Sequence, residues 1–374
     1  MVQLSEEDLI KLKAIAIVFP QYHAIPENDK FWGKGFTEWT MLRPMPRVLN
    51  GITTRFPHED IGQYNFLDLE HRKYMRTMAD HFGIFGFCFY HYWFEDRPVM
   101  HKPLDLLLSD GEPNKPFFLT WANEPWSKRW DGKNDHVLLA QDYSNVQGNI
   151  AHFNYLLPFF KHKNYIHVNG LPLFAFYRID KADEVKIDSI MELWTRLASE
   201  AGIGGLYFIR FLGAFKNRAN LAALSGNVQF EPVYSWRIPL HSYVEMSRTY
   251  TNIISGQFKV YDKHLSWDAI ENNNFETFNN TFRGTFCHWS NAPRRNFSNQ
   301  EYANYPHMMS PDSLKGCRAH LERMAKIVVN DPNGPADKFL FLTAWNEWNE
   351  QSVFEPTDVE GYDALTALQS VVRT

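Results

Sequence analysis

The sequence predicts an α/β fold, a single (β/α)8 TIM barrel with long loops at the C-terminal face of its strands. Two observations predict this class: eight short apolar runs recur along the chain, and amphipathic helical patterns lie between several of them. Near-continuous hydrophobicity is typical of strands that are buried on both faces. Strands alternating with helices indicate a barrel, although a doubly wound open sheet has the same alternation.

The predicted elements follow one another along the whole chain. The strand-like runs occupy 14–22, 83–93, 116–124, 172–179, 205–213, 227–236, 281–291 and 339–350. Helical patterns occupy 66–81, 147–160 and 359–372, and a further one runs from Ser310 and Pro311 to Val329. The fifth pattern ends before Gly202 and carries Ile190, Leu193, Trp194 and Leu197 at helical spacing. The stretch 240–280 has room for an insertion. Since no linker or repeat divides the chain, we expect one domain over 1–374.

Composition excludes several classes of function. A net charge of −5, without a basic run, argues against a nucleic-acid partner. The acidic N-terminus does not resemble a secretory signal, and no window of eighteen apolar residues is present, so we expect a cytoplasmic protein without a transmembrane segment. Cys88, Cys287 and Cys317 lack the spacing of a disulfide framework or zinc site. No motif indicates a metal or another cofactor, and we expect none. Composition leaves the oligomeric state open.

Aromatic residues are unusually frequent, at 16% of the chain. Many of them adjoin Asn, Glu, His or Arg. This mixture suits a sugar, whose C–H faces stack on rings while its hydroxyls need polar partners. The composition therefore favours a glycan ligand.

Polar and aromatic residues recur at the carboxyl ends of the predicted strands. In a barrel these ends form one rim, where the active sites of this fold lie. A single Trp or His at a strand end more often packs than binds, but recurrence over seven strands favours a functional rim. The residues are Tyr22 and His23; Tyr90, His91 and Trp93; Trp121, Asn123 and Glu124; Arg178; Glu231 and Tyr234; His288, Trp289 and Asn291; and Glu347 and Glu350, while Arg210 lies within the fifth strand.

Glu347 and Glu350 are the candidate catalytic residues. On a continuing strand they would face opposite ways, whereas on a turn or first helical step they would be neighbours, with Cβ atoms ~5–6 Å apart. Two carboxyls ~5–5.5 Å apart suit retaining cleavage of a glycosidic bond, and ~6.5–9.5 Å suits inversion. Closeness raises the pKa of one carboxyl, which then acts as an acid. The alternative is a surface pair bound to Arg129, Arg294 or Arg295.

A rival acid is Glu124, because Asn-Glu at a strand end is typical of a large class of retaining barrel glycosidases. In that class the two carboxylates follow strands four and seven, whereas Glu124 follows strand three and Glu347 strand eight. This count disfavours the rival. Asp131 and Asp135 in "WDGKND" have cation-binding chemistry, but a turn is the expected use.

Four blocks of sequence resemble a known family. "FPQYHAIPENDKFWGKGFTEWT", "LTWANEPWSKRWDG", "NAPRR" and "TAWNEWNE" with its following "EP" look like the successive signatures of WbsX-like polysaccharide-biosynthesis proteins, which carry a glycoside hydrolase family 99-like domain. The blocks run in order from Phe19 to Pro356. The resemblance implies a (β/α)8 barrel related to endo-α-mannosidases, and a retaining reaction at an α-glycosidic bond.

The resemblance also implies roles for the two glutamates. Glu347 would be the base that deprotonates the sugar 2-hydroxyl, which attacks its own anomeric carbon to give a 1,2-anhydro intermediate. Glu350 would protonate the leaving oxygen and later activate the acceptor. Gln351 stands where the family usually has glycine, so the loop that shapes the sugar subsite differs and the sugar is not defined.

We therefore expect glycosyl transfer or glycan remodelling in cell-surface polysaccharide biosynthesis, such as that of lipopolysaccharide O-antigen or capsule. The alternatives are an endo-α-mannosidase-like hydrolase, a glycan-binding barrel without catalysis, and a transferase that uses a nucleotide sugar. The candidate sugar contacts are Tyr22, His23, Trp32, Glu38, Trp39, Tyr90, His91, Trp121, Asn123, Glu124, Trp130, Arg178, Glu231, Trp289, Arg294 and Trp345.

Overall fold

A computed structural model of the protein describes residues 12–49, 51–127, 137–213, 221–237, 245–250, 256–272, 280–295, 306–310 and 313–372. Its centre is a closed parallel barrel. The barrel strands are β1 (Leu12–Val18), β2 (Ile84–Phe94), β3 (Phe117–Trp121), β4 (Leu171–Phe176), β5 (Tyr207–Leu212), β6 (Leu224–Gln229), β7 (Thr281–Phe286) and β8 (Lys338–Thr343). Each pairs in parallel with its neighbours, and β8 pairs with β1. The predicted barrel is confirmed.

Helices connect the strands and cover the outside of the barrel. In chain order they are α1 (Pro26–Trp32), α2 (Glu38–Leu42), α3 (Leu69–Phe82), α4 (Lys102–Asp110), α5 (Val146–Phe160), α6 (Glu184–Glu200), α7 (Val233–Arg237), α8 (Lys263–Glu271), α9 (Cys317–Asn330) and α10 (Asp363–Gln369). Each of the five predicted helical patterns overlaps one of them, and α1 and α2 lie in the connection between β1 and α3. None of the helices in the described part of the chain has an apolar stretch that would cross a bilayer.

One predicted boundary is wrong. The helix expected from Ser310 begins only at Cys317, after Gly316, whose φ is 85°. Ser310 instead ends the strand His307–Ser310, which joins an additional sheet with the strands Glu245–Tyr250 and Gly256–Asp262. Two of the three strands lie in the 240–280 stretch, where the sequence allowed an insertion. At Ser310, pairing with this distant segment overrode the local capping signal.

The remaining strands are short and decorate the loops. Val48–Leu49 pairs with Ile52–Thr53, Arg97–Val99 with the end of β2, Trp126–Ser127 with Val137–Leu139, His167–Val168 with β4, and Asn346–Glu347 with Ser352–Val353. Two 3-10 helices, Ala292–Arg294 and Trp348–Glu350, follow β7 and β8. Both lie at the carboxyl end of the barrel.

Aromatic side chains fill the inside of the barrel. The ring of Phe341 on β8 lies 6.0 Å from that of Phe118, 6.2 Å from that of Phe211 and 5.8 Å from that of Phe282. These rings come from β3, β5 and β7, so strands from across the barrel meet at one side chain. At Gly284 on β7 a Cβ atom would lie 2.0 Å from the carbonyl oxygen of Gln229, so only glycine allows this close approach. The interior is therefore a packed core, and an open site has to lie at the rim.

Candidate active site

The segment after β8 places two glutamates at the rim. Residues 346–347 and 352–353 form a short antiparallel ladder, and the 3-10 helix Trp348–Glu350 connects its two strands. Gln351 closes the turn with φ of 50°, in the left-handed region. Glu347 is the N-cap of this helix and Glu350 ends it, and side chains three apart are eclipsed in a 3-10 helix. Both glutamates line the same cavity, as the neighbouring geometry predicts.

The asparagines of this turn attach it to the rest of the rim. Asn346 accepts from the backbone N–H of Phe19 at 2.8 Å and donates to the carbonyl oxygen of Phe19 at 3.0 Å. Asn349 donates to a carboxylate oxygen of Glu38 at 2.5 Å. Both amides are buried. The polar residues that alternate with the tryptophans therefore brace the turn, while the glutamates face the cavity.

Arg294 lies between three carboxylates. We call Glu38, Trp289, Arg294, Glu347 and Glu350 the glutamate cluster. Nη2 of Arg294 is 2.7 Å from Oε2 of Glu347 and 3.7 Å from Oε2 of Glu38, and Nε of Arg294 is 3.1 Å from Oε1 of Glu350. Trp289 donates from its indole N–H to Oε2 of Glu350 at 3.1 Å. The surface-pair alternative gave Arg294 as an ion-pair partner, and the structure has that ion pair inside the cavity.

The carboxyls of the cluster differ in environment. Burial, with smaller contributions from Glu350 and Glu38, raises the pKa of Glu347 to about 8 against the opposing effect of Arg294. Burial also raises the pKa of Glu38, against the effect of Arg294. The Glu350 side chain is more open, at 28% exposure against 10% for Glu347. Of the two carboxyls that line the cavity, that of Glu347 is therefore buried and that of Glu350 is accessible.

The cavity has a volume of about 220 Å³. Six aromatic rings line it, and its remaining lining is mixed. The rings are Phe19, Trp32, Tyr90, Tyr92, Trp126 and Tyr177, and the other residues are Gln21, Asn28, Ala122, Glu124, Pro125, Leu138, Arg294, Glu347 and Glu350. The side-chain nitrogen of Asn28 is buried and has no hydrogen-bond partner among the described residues, so it is a donor available to a ligand. Rings with a few polar groups are the arrangement that binds sugars.

Six of the predicted site residues line this cavity, and two more support it from behind. The lining residues are Trp32, Tyr90, Glu124, Arg294, Glu347 and Glu350. The supporting residues are Trp289 and Glu38, through their contacts with the cluster. These eight come from the loops after β1, β3, β7 and β8 and from β2 itself. The expected convergence of distant strand ends is therefore present.

Strand alternation keeps other predicted residues out of the cavity. On β2, Tyr90 and Tyr92 face it, whereas His91 and Trp93 point to the opposite side, because successive side chains alternate. His91 Nε2 lies 2.7 Å from Nε2 of His152 on α5. We call His91, Trp93, Trp121, His152 and Trp194 the histidine cluster. All five side chains are buried, and the indole of Trp93 stacks on His152 at 4.5 Å.

The other predicted contacts are used within the protein. Tyr22 packs against Trp39, with ring centres 4.7 Å apart, and Trp39 donates to the backbone oxygen of residue 64 at 2.7 Å. Trp345 packs in the barrel core, 5.6 Å from the ring of Phe87. The structure does not bring Tyr22, Trp39 or Trp345 to the cavity lining.

Four further predicted residues are also held by internal partners. The His23 ring contacts the backbone oxygen of residue 20 at 3.2 Å. Glu231 accepts from the hydroxyl and the N–H of Ser235, at 2.7 and 3.1 Å. Asn123 accepts from the N–H of Arg178 at 2.8 Å, and the Arg178 side chain bonds Glu124 at 2.7 Å. Trp130, like Asp131 and Asp135, lies outside the described residues.

Sequence reasoning missed several lining residues. Tyr92 lies two positions after Tyr90, and the period of a strand is the signal that identifies it. Trp126 lies two residues after Glu124, and Tyr177 lies one residue before Arg178, so each is close to a residue that was predicted. Gln21 and Asn28 belong to the first signature block. Both side chains are largely buried, and no residue pattern distinguishes them from neighbours that do not line the cavity.

Comparison with known families gives one match over nearly the whole chain. The family model described as "Glycosyltransferase WbsX" matches residues 14–368. The protein WxcX of Xanthomonas campestris pv. campestris strain B100 is 30% identical over 361 residues, which cover 96% of this chain and 49% of WxcX. WxcX of strain ATCC 33913 is 29% identical over 360 residues, with the same coverage. The chain spans about half the length of the curated relatives that it matches.

Solved structures share the fold at low identity. A glycoside hydrolase-like protein superposes with a TM-score of 0.55 at 12% identity, over 97% of this chain and 94% of that one. The glycoside hydrolase family 99 endo-alpha-mannosidase from Bacteroides thetaiotaomicron superposes with a TM-score of 0.52 at 12% identity, over 96% and 95% of the two chains. These similarities show a shared barrel fold.

Proposed function

Because the chain belongs to the WbsX glycosyltransferase family, we propose that it is a carbohydrate-active enzyme that acts on α-glycosidic bonds with retention during cell-surface polysaccharide biosynthesis. The family description and the barrel shared with glycoside hydrolases support a carbohydrate-active enzyme. The observation that carries the proposal is the position of Glu347 and Glu350, which share Arg294 inside an aromatic-lined cavity at the barrel rim.

In the proposed reaction Glu347 accepts the proton of the sugar 2-hydroxyl. The 2-oxygen then attacks the anomeric carbon of the same sugar, and the bond from that carbon to the leaving oxygen breaks. Glu350 gives its proton to the leaving oxygen. In the second half the acceptor hydroxyl loses its proton to Glu350 and attacks the anomeric carbon, the bond to the 2-oxygen breaks, and Glu347 returns its proton. Two displacements at one carbon retain its configuration.

The environment of each carboxyl bears on these roles. Burial raises the pKa of Glu347 to about 8, which makes its ionised form a stronger base but keeps most of it protonated at neutral pH, so the pKa alone fits an acid as well as a base and the base role follows from the resemblance to the family. Arg294, at 2.7 Å, stabilises the ionised form that accepts the proton. Glu350 is the more exposed of the two, as a group that exchanges protons with successive leaving and acceptor oxygens requires.

Hydrolysis is the second candidate, because the same intermediate gives hydrolysis when water intercepts it and transfer when a sugar hydroxyl does. The fold shared with an endo-alpha-mannosidase favours an α-linked substrate in either case. Product masses with and without a candidate acceptor distinguish the two outcomes. A nucleotide-sugar donor would instead raise the thermal midpoint of the protein when added alone.

The test is Glu350→Gln on an activated α-glycoside. Loss of a general acid costs about 10²- to 10⁴-fold in rate, so we expect turnover to fall by about that factor while affinity for the oligosaccharide changes little. Glu322→Gln is the matched control, because Glu322 pairs with Arg318 on the surface of α9. Unchanged turnover in Glu350→Gln would reject the assignment, and binding without turnover in the parent protein would favour a glycan-binding barrel.

A further inference from the structure

Two more hollows continue from the cavity across the outside of the rim. The first, of about 290 Å³, lies over the loops that follow β3 and β4 and includes Asn123, Gln141, Asp180 and Asp183 in its lining. The second, of about 520 Å³, lies between the start of α5 and the outer face of α6. We call them the middle hollow and the outer hollow.

The cavity, the middle hollow and the outer hollow lie in that order, and neighbouring spaces share lining residues. Pro125 lines both the cavity and the middle hollow, and Tyr143 and Lys186 line both the middle and the outer hollow. The boundary between the cavity and the middle hollow is an ion pair: Arg178 bonds Glu124 of the cavity and Asp180 of the middle hollow, each at 2.7 Å. The three spaces therefore adjoin one another in a row that begins at Glu347 and Glu350, and we call this row the groove.

The groove has the surface chemistry of a saccharide site. The side-chain nitrogen of Gln141 is buried without a hydrogen-bond partner among the described residues, so a ligand hydroxyl can satisfy it. Val146, Ile190 and Leu193 give the outer hollow an apolar wall beside polar side chains. Basic and acidic side chains both occur: Arg178, Lys186 and Arg196 with Asp142, Asp180, Asp183 and Glu192. Such balanced charge suits neutral sugars better than sugar acids or phosphates.

We propose that this groove holds additional sugar units of an extended neutral glycan, so that the enzyme acts on oligosaccharides of several units more efficiently than on single glycosides. The inference rests on the proposed function, since it extends the substrate of the same site. Each unit bound in the groove adds contacts, and affinity and kcat/KM therefore rise with the length of the chain.

The experiment measures kcat/KM for α-linked gluco- and manno-oligosaccharides of two, four and six units, and their affinity for Glu350→Gln by calorimetry. Ser189→Trp fills the outer hollow, which Ser189 lines. Val185→Trp is the control with the same bulk, because Val185 on α6 is 78% exposed and lines neither hollow. We expect the ratio of kcat/KM between six and two units to fall about tenfold in Ser189→Trp and to stay constant in Val185→Trp.

The outcomes separate the two proposals. Turnover that is independent of chain length, with Ser189→Trp behaving as Val185→Trp, overturns the groove and leaves the function standing. Affinity that rises with length and is lost in Ser189→Trp, without turnover of any substrate, supports the groove and rejects the function. Equal affinity for all lengths in both sugar series overturns the groove whatever the rate. Equal thermal midpoints of the two tryptophan variants show that both fold.

Discussion

The glutamate cluster and the histidine cluster lie near the same end of the barrel, and both combine ionisable groups with tryptophans. In the first, the carboxylates of Glu347 and Glu350 face a cavity and share Arg294. In the second, His91 and His152 contact each other and are closed in by indoles. The residue types at a strand end therefore indicate where the rim of the barrel lies, whereas the direction in which each side chain points determines whether it lines the cavity or packs in the interior.

The largest effect that separates the clusters is on stability in acid. Burial lowers the pKa of His91 to about 3 and that of His152 well below its usual value, so both are neutral in the folded protein. The unfolded chain takes up their protons below about pH 6.5. Stability is therefore complete above that pH and is lost as the pH falls towards about 3.

For His91 alone the loss is on the order of 3 kcal/mol between pH 6.5 and 4, measured by urea unfolding at a series of pH values. His152→Phe removes one of the two titrations and should flatten the curve in part. His81→Phe, at an exposed position, is the control. An identical pH dependence in His152→Phe and the parent protein would show that the histidine cluster does not oppose protonation.

The second effect is the pH dependence of the reaction, which is set by the glutamate cluster. If Glu347 is the base, it has to be ionised, so kcat/KM rises with pH up to about 8, the pKa to which burial raises Glu347. Between pH 6 and 8 the expected rise is roughly 50-fold, because a single group with that pKa is half ionised at pH 8. A kcat/KM that falls through this range would mean that Glu347 is the acid and would exchange the roles of the two glutamates.

The smallest effect compares one tryptophan from each cluster. Trp289 donates to Glu350 at 3.1 Å, and Trp194 donates to the backbone oxygen of Asn149 at 2.9 Å. Trp289→Phe removes a hydrogen bond to a carboxylate, so we expect kcat to fall about tenfold with KM unchanged. Trp194→Phe should lower stability by about 1 to 2 kcal/mol and leave kcat unchanged. Equal effects of both variants on kcat would remove the distinction between the clusters.

The fold follows from the sequence because hydrophobic pattern is strong evidence for buried elements. All eight predicted strands and five predicted helices exist, since burial on both faces of a parallel strand leaves a continuous apolar run. The predicted start of α9 was wrong because Ser310 is a good capping residue locally, whereas in the structure it pairs with Asp262 in the additional sheet. Such a pairing depends on contacts distant in sequence.

The site was harder to predict for the same reason. Glu347, Glu350 and Arg294 carry charges whose burial needs an explanation, so their residue types pointed to a site. Tyr22 and Trp345 have the same type as residues that line cavities, yet they pack inside the protein. The pattern does not say whether a ring at a strand end faces solvent or core, because either environment accepts it.

The most direct measurement of the central claim is the anomeric configuration of the first product. The full chain is incubated with an α-linked oligosaccharide, and the anomeric proton of the new reducing end or linkage is followed by NMR before mutarotation. We expect the α configuration, because two displacements involving Glu347 and Glu350 occur at one carbon. A first product in the β configuration would contradict it.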